Sequence, residues 1–249
     1  MSLRVRHNMA NTVILSARQS FDFLGDDIRL TAMSLPNVVD AVRRHFSFQR
    51  VTLSRPPATF GPVPNTIPPG VVFHVGTWND PELGSVMMRF LHVEAQRVVF
   101  DIAGPSEVLP RLTTQFFETV RRSAKTADGS AVVGEPHRVL DYSEMTIQLP
   151  ASLDVLWAPK FRKLVNAIGS LTKSEEIIPG VSFHVAERSS PFAGDSVAGG
   201  TGYQLSLRRQ TLPGDYVYFS GAPLATTPHK AYLEELHEIV TNMIHKGSR

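Results

Sequence analysis

An internal repeat restricts the possible folds of this sequence more than any other feature. Residues 69–75 read Pro-Gly-Val-Val-Phe-His-Val and residues 179–185 read Pro-Gly-Val-Ser-Phe-His-Val, six identities in seven at an offset of 110. A helix pattern opened by proline precedes each copy, at residues 35–36 and again at residues 149–150. Because self-similarity with a conserved order of elements indicates duplication, we expect two copies of one structural unit.

Each copy is predicted to contain a strand, a helix, three further strands and a closing helix. Alternating apolar residues predict the first strand at 27–33 and its counterpart at 142–149. The further strands are predicted at 70–75, 85–93 and 97–102, and at 180–185, 203–211 and 216–220. Helical spacing of apolar residues predicts helices at 36–46, 108–120, 153–168 and 227–244.

These elements divide the chain into an N-terminal segment 1–26, a first repeat 27–122, a linker 123–137 and a second repeat 138–249. The order of elements predicts an α+β fold in which antiparallel strands form one continuous sheet with helices on a single face. The other face of the sheet is then uncovered. Large uncovered faces of this kind are usually binding surfaces.

Composition excludes several classes of protein. The 42% apolar content with 14 Phe is enough to close a core, and the absence of Cys excludes disulfides, thiolate zinc sites, iron–sulfur clusters and a Cys nucleophile. The longest apolar run near the start is residues 13–15, so we expect a soluble intracellular protein without a membrane segment. A net charge of +2 does not by itself indicate a polyanionic partner.

Two short segments carry a family resemblance. Residues 176–184 read Glu-Ile-Ile-Pro-Gly-Val-Ser-Phe-His, which is similar to the Leu-Phe-Pro-Gly-Leu-Ile-Tyr-Arg segment of the TATA-box-binding protein family. Residues 220–223 read Ser-Gly-Ala-Pro, which is similar to the Thr-Gly-Ala-Lys turn of that family. With the same order of elements over residues 27–246, the chain resembles a divergent member, a TATA-box-binding-protein-related factor of the kinetoplastid type. The resemblance implies a tandem-duplicated saddle, one continuous curved antiparallel sheet with helices on its convex face.

The resemblance also implies a function. Members of the family are nuclear basal transcription initiation factors that bind promoter DNA in the minor groove and kink it with apolar wedges. The implied partners are promoter DNA, general transcription factors equivalent to A and B, and a complex that binds small nuclear RNA promoters. Catalysis, cofactors and membranes play no part in this function.

The resemblance places candidate DNA-binding residues in two groups. The four wedge positions of the family fall on Pro68, Phe90, Ile178 and Arg208. The backbone and groove positions fall on His74, His184, Arg209 and Ser220. The two histidines stand where the family has arginine, and imidazole is mostly neutral at pH 7. Further candidates for phosphate contact are Arg29, Arg89, Arg97, Arg188, Arg208 and Arg209.

Other readings of the same residues stay open. The repeated Phe-His pair is also typical of half-buried strand residues without a ligand, and Phe90 is by composition alone a core residue. Motifs for phosphate loops, zinc proteases and nucleophile elbows are incomplete, and His74 with His184 lacks the further ligands of a metal site. Two alternatives to DNA binding are therefore an interaction scaffold of the same shape and a duplicated α+β protein that binds a small ligand.

Overall fold

The computed structural model describes residues 11–24, 36–54, 70–82, 84–94, 96–124, 133–156, 163, 180–184, 202–208 and 216–247. The fold is mixed α+β. The strands are β1 (Asn11–Asp22), β2 (Arg50–Ser54), β3 (Gly70–Asp80), β4 (Gly84–Glu94), β5 (Arg97–Ala103), β6 (Arg138–Leu149), β7 (Gly180–His184), β8 (Gly202–Leu207) and β9 (Tyr216–Ala222). The helices are α1 (Pro36–His45), α2 (Leu109–Ser123) and α3 (Thr226–Gly247), with short 3₁₀ turns at Ser106–Val108 and Leu153–Leu156.

All nine strands belong to one open antiparallel sheet in the order β2-β3-β4-β5-β1-β6-β9-β8-β7. The β1/β6 pair is at the centre, with eleven residue pairs in register. Next to this pair lie β5 on one side and β9 on the other, each the last strand of its half of the chain. Farther out, the strands follow in decreasing number, β4, β3 and β2 on one side and β8 and β7 on the other. The order β1-β5-β4-β3 of one half therefore matches the order β6-β9-β8-β7 of the other from the centre outward, and β2 has no counterpart among the described residues.

The α2 and α3 helices cover the same face of the sheet. Ala17 of β1 is buried in a cluster with the apolar residues of α2. Its register partner on β6 is Ser143, whose hydroxyl lies 2.8 Å from the ring Nδ1 of His229 on α3. Because directly opposite residues of an antiparallel pair point to the same face, the two helices lie on one side and leave the opposite face without a helix from the described residues.

Two hydrophobic clusters lie between this sheet and its helices. The larger joins α1 and α2 to strands β1 to β5, and its centre is aromatic: the rings of Phe100 and Phe116 meet edge to face at 5.2 Å. The smaller joins α3, through Leu233, Leu236 and Val240, to β6, β8 and β9. The i, i+3, i+4, i+7 spacing predicted for the two closing helices is thus the spacing of their buried stripes.

A polar contact connects the two halves at the start of α3. The backbone N–H of Thr226 donates to Ser106 Oγ, and the backbone N–H of Ser106 donates to Thr226 Oγ1. The hydroxyls of Thr226 and Thr227 both donate to the carboxylate of Glu107. A carboxylate beside a helix N-terminus is favourable because of the helix dipole, so the turn that follows β5 caps the last helix of the chain.

The first strand differs from the prediction. Residues 27–33 lie outside the described residues, and the strand that pairs with β6 is β1, within the segment 1–26 that the sequence assigned to neither repeat. A first repeat that begins at residue 27 omits this strand. The register of β1 shifts between Ile14 and Ser16, and a β-bulge of this kind breaks the alternation by which a strand is recognised in a sequence.

Two other expectations are only partly covered by the structure. Of the helix predicted at 153–168, the described start is the 3₁₀ turn Leu153–Leu156, and most of the remainder lies outside the described residues. Within the predicted linker, Val133 is buried in the larger hydrophobic cluster. None of the described helices is long and apolar enough to cross a membrane.

Candidate functional site

The uncovered face of the sheet carries a row of side chains that runs across six strands. Successive register partners across β2, β3, β4, β5, β1 and β6 form this cross-sheet row, which consists of Arg50, His74, Phe90, Asp101, Arg18 and Tyr142. Register partners share a face, so the row brings two aromatic rings, two arginines, a histidine and a carboxylate together. It is the densest group of polar and aromatic side chains described on this face.

Arg18 lies between Asp101 and Tyr142 in the row and is held on three sides. Its Nε and Nη2 donate to the same oxygen of Asp101, Oδ2, at 3.0 and 2.7 Å. Its guanidinium carbon lies 5.5 Å from the ring centroids of both Phe90 and Tyr142. Cation–π contacts with two rings and a charge-assisted hydrogen bond together fix the orientation of this arginine.

Arg89 extends the group toward the middle of the sheet. The β4/β5 register shifts between Met88 and Phe90, at the position of Arg89. From there its Nε lies 3.3 Å from Asp101 Oδ1, and its Nη1 donates to Glu144 Oε2 at 3.3 Å. Ser16 Oγ donates to the same Glu144 oxygen at 2.7 Å. Two arginines and two carboxylates therefore neutralise each other on this face.

Asp101 is the most buried charged group of the row, with 0% of its surface exposed. Burial raises the pKa of its carboxyl above the ordinary value, although the hydrogen bond from Arg18 and the charges of both arginines oppose the rise. Among the described residues, its Oδ1 accepts no hydrogen bond that meets full geometric criteria. A buried carboxylate is tolerated only when it is paired, so Asp101 depends on the two arginines above it.

His74 and Phe90 are the two predicted DNA-binding residues that the structure brings together, as direct register partners on β3 and β4. Nε2 of His74 lies 2.8 Å from Thr52 Oγ1. Burial, and then the charges of Arg50 and His92, lower the pKa of His74 below the ordinary value. The imidazole is therefore neutral at pH 7 and offers hydrogen bonding rather than a positive charge.

Ser220 is on the wrong face for the role predicted for it. Its side chain is 0% exposed, and its register partners Met145 and Leu205 belong to the smaller hydrophobic cluster. Its Oγ lies 2.8 Å from Nε2 of His229 on α3 and 3.3 Å from the hydroxyl of Tyr203. The sheet itself separates this hydroxyl from the uncovered face, because alternate residues of β9 point to opposite faces.

The buried polar cluster around His229 is a structural feature that the sequence did not indicate. Ser143 Oγ donates to the carbonyl of Leu224 at 2.8 Å and lies 2.8 Å from Nδ1 of His229, and Nε2 of the same ring lies 2.8 Å from Ser220 Oγ. Burial lowers the pKa of His229 to about 4. The imidazole is neutral and joins α3 to β6 and β9, and with 0% exposure it is closed to any substrate.

The other predicted residues are placed only in part. Pro68, Ile178 and Arg209 lie outside the described residues. His184 is the last residue of β7, paired in register with Gly202, and Arg208 is an exposed residue directly after β8 whose backbone N–H donates to the carbonyl of Val217. The structure therefore brings neither of them into contact with His74 or Phe90 through any described interaction.

Two of the arginines considered for phosphate contact are engaged within the chain. Arg89 is paired with Asp101 and Glu144, and Nε of Arg97 donates to Asp22 Oδ1 at 2.6 Å. Arg29, Arg188 and Arg209 lie outside the described residues. The positive charge that a polyanion would require is thus partly cancelled on this face.

Sequence reasoning missed Arg18, Asp101, Tyr142 and Glu144, which form the centre of the site with Phe90. These residues are spread over β1, β5 and β6, so no motif or spacing connects the three strands before they are paired. One signal was present: Asp101 interrupts the otherwise apolar run of β5, residues 98–102, and a carboxylate in a buried strand requires a partner.

The described residues include no group of three or more His, Asp or Glu side chains placed to hold a metal ion. Comparison of the sequence with protein-family models and with curated proteins found no match. The function is therefore inferred from the strand order and from the chemistry of the uncovered face.

Proposed function

We propose that this chain is a platform protein of transcription initiation, related to the TATA-box-binding protein, in which two tandem copies of one α+β unit share a saddle-shaped sheet. The observation that carries the proposal is the order of four strands, which is the same outward from β1 and from β6. Two copies related by an approximate twofold axis through the central strand pair would produce this order. The repeated Pro-Gly-x-x-Phe-His segments begin strands β3 and β7, which are equivalent positions in it.

A platform of this kind binds duplex DNA on its uncovered face and partner proteins on its helices. A continuous sheet offers a broad surface to a widened minor groove. Apolar side chains inserted at a base step unstack it at a cost of a few kcal/mol, and the bent DNA then contacts more of the protein surface. Phe90 fits this role because it is half-buried on the uncovered face and its ring is supported by Arg18. The partners we propose are promoter DNA, nuclear factors equivalent to general transcription factors A and B, and a complex that binds small nuclear RNA promoters.

The charges of the face favour recognition by shape over attraction to phosphate. Arg18, Arg89 and Arg97 are all paired with carboxylates of the same chain, so few counterions would be released when a duplex binds. Binding would then depend on how easily the sequence deforms, which favours A·T-rich or otherwise flexible promoter steps. The partner proteins would supply the remaining affinity.

A second candidate function is supported by the same charges. Asp101 and Glu144 place two carboxylates on the face that a duplex would meet, and negative charge opposes binding to DNA. A platform that keeps the shape but holds only proteins, with little direct DNA contact, would tolerate these residues. The small-ligand alternative has no described enclosed site on this face to support it.

The two functions are separated by fluorescence titration of an A·T-rich and a G·C-rich duplex at about 50 mM and about 200 mM salt. Preferential binding of the A·T-rich duplex, with a shallow dependence on salt, supports the DNA-binding platform. Equal and weak binding of both duplexes supports the protein scaffold. If the protein binds a small molecule but neither duplex and no partner protein, both proposed functions are refuted.

The wedge assignment is tested separately with a duplex carrying a fluorescent donor and acceptor at its ends. Phe90→Ala is expected to reduce bending more than His74→Ala, because only the ring of Phe90 can enter a base step. His74→Ala is the matched control, since the two residues are register partners on the same face. If His74→Ala reduces bending more, the assignment of the wedge to β4 is wrong.

A further inference from the structure

The two ion pairs at the centre of the uncovered face differ in how firmly they are held. Arg18 and Asp101 are locked together, because Asp101 is fully buried and Arg18 is placed between two aromatic rings. Separating this pair would leave a buried carboxylate without its main partner, which is strongly unfavourable. A phosphate is therefore a poor competitor for Arg18.

Arg89 keeps its Nε 3.3 Å from Asp101 Oδ1, whereas the contact of its Nη1 with Glu144 is looser. The side chain of Arg89 is 44% exposed and that of Glu144 is 20% exposed, and their closest atoms are 3.3 Å apart. Ion pairs with this exposure contribute little to stability. A guanidinium recognises a carboxylate and a phosphate through the same N–H donors, so Arg89 is able to exchange Glu144 for a phosphate of a bound duplex.

Glu144 is held in position independently of Arg89. Ser16 Oγ donates to the same Oε2 atom at 2.7 Å. Ser16 follows the β-bulge of β1, where the register shifts between Ile14 and Ser16, and this shift places Ser16 opposite Glu144. The carboxylate is thus presented to Arg89 by the sheet and stays there when the arginine moves.

Resting on the proposed function, we propose that Glu144 withholds Arg89 from DNA phosphates, so that the uncovered face binds every duplex more weakly and with a shallower dependence on salt. A phosphate contact adds the same free energy to every sequence. Removing one such contact lowers the affinity for all duplexes. The deformation of the DNA then accounts for a larger share of the remaining binding free energy. The carboxylate of Glu144 thereby lowers the affinity for every duplex by the same factor and leaves the preference between duplexes to the shape of the DNA.

The test compares Glu144→Gln with Glu118→Gln in duplex titrations at about 50 mM and about 200 mM salt. Both changes remove one negative charge, but Glu118 is on the exposed side of α2, paired with Arg122. If Arg89 takes up a phosphate in Glu144→Gln, the ratio of affinities at the two salt concentrations rises about threefold, from one added contact with a slope of about 0.9. The A·T-rich over G·C-rich preference is expected to stay equal, because the added contact is the same for both duplexes, and Glu118→Gln is expected to match the unmodified protein.

Arg89→Ala provides the second measurement and keeps the test independent of how well Glu144→Gln folds. In the unmodified protein Arg89 is withheld, so Arg89→Ala alone is expected to leave the salt dependence unchanged. Combined with Glu144→Gln, it is expected to abolish the threefold gain. A steep loss of binding in Arg89→Ala alone, or equal behaviour of Glu144→Gln and Glu118→Gln, overturns the role of Glu144 and leaves the proposed function standing. Failure of every one of these proteins to bind either duplex overturns the proposed function and the role of Glu144 with it.

Discussion

Acid should destabilise this fold through a single buried histidine. His229 is fully buried, hydrogen-bonded through both ring nitrogens, and has a pKa lowered to about 4 by burial. In the unfolded chain the same imidazole titrates near its ordinary value of 6.5. Between these values the unfolded state binds a proton that the folded state does not, so the free energy of unfolding falls as the pH falls. The loss is about 1.4 kcal/mol per pH unit, or roughly 3 kcal/mol over the whole interval.

The measurement is urea unfolding of the unmodified protein and of His229→Gln at a series of pH values between about 7.5 and about 5. His229→Gln removes the titration, so its free energy of unfolding is expected to depend less steeply on pH, by about 1.4 kcal/mol per unit below pH 6.5. Ser143→Ala is the control: it removes a hydrogen bond to His229 and lowers stability, but keeps the titrating group and hence the slope. Equal slopes for His229→Gln and the unmodified protein would show that the imidazole does not stay neutral in the folded state.

The remaining predictions concern packing and the contact between the two halves. Gly221→Ala is expected to lower the free energy of unfolding by about 1–3 kcal/mol in denaturant titrations, because an added Cβ overlaps the hydroxyl of Tyr142. Removing that ring with Tyr142→Ala in the same protein should recover part of the loss. Gly76→Ala should cost at least as much and resist such rescue, because the added Cβ would lie 2.7 Å from the backbone oxygen of Phe46; full stability in thermal unfolding would contradict the close packing there. Glu107→Gln is expected to cost about 1 kcal/mol by weakening the cap of α3, with a lower midpoint in thermal unfolding, and an unchanged midpoint would mean that the cap contributes no stability.

The three described helices and most of the strands were accessible from the sequence because their signals are local, whereas the edge strand β2 (Arg50–Ser54) was not predicted. The stripes that contain Leu112 and Phe116 on α2, and Leu233 and Val240 on α3, repeat at helical spacing and are the residues buried against the sheet. The duplicated Pro-Gly segments marked the starts of β3 and β7. A mixed α+β fold with one antiparallel sheet followed from the order of these elements, since each element needs a neighbour for its apolar face.

The first strand was not accessible in the same way. β1 carries Ser16, Ala17, Ser20 and Phe21 as its buried residues, two of them polar, and its bulge changes which residues point to which face. Alternation is a main local signal of a strand, and here it is interrupted. What makes this segment a strand is its position between β5 and β6, where both of its edges find hydrogen-bond partners.

The candidate site was predicted in part, and only tertiary structure decided its composition. His74 and Phe90 were accessible because they belong to the repeat and to the strand paired with it, whereas Ser220 was assigned to the wrong face. Whether a residue of β9 points toward the helices or away from them depends on strand register, and the register follows from pairing with distant residues.

The sequence by itself determined the repeated Pro-Gly segments, the order of most elements and the apolar stripes, because these depend on residues close together in the chain. Only the paired sheet decided that Arg18 meets Asp101 across a separation of 83 residues and that Ser16 meets Glu144 across 128. Charges that are scattered along a chain reveal neither attraction nor cancellation until strand pairing brings them within a few ångströms. The electrostatic character of the uncovered face, and with it the role proposed for Glu144, is therefore a property of the folded protein alone.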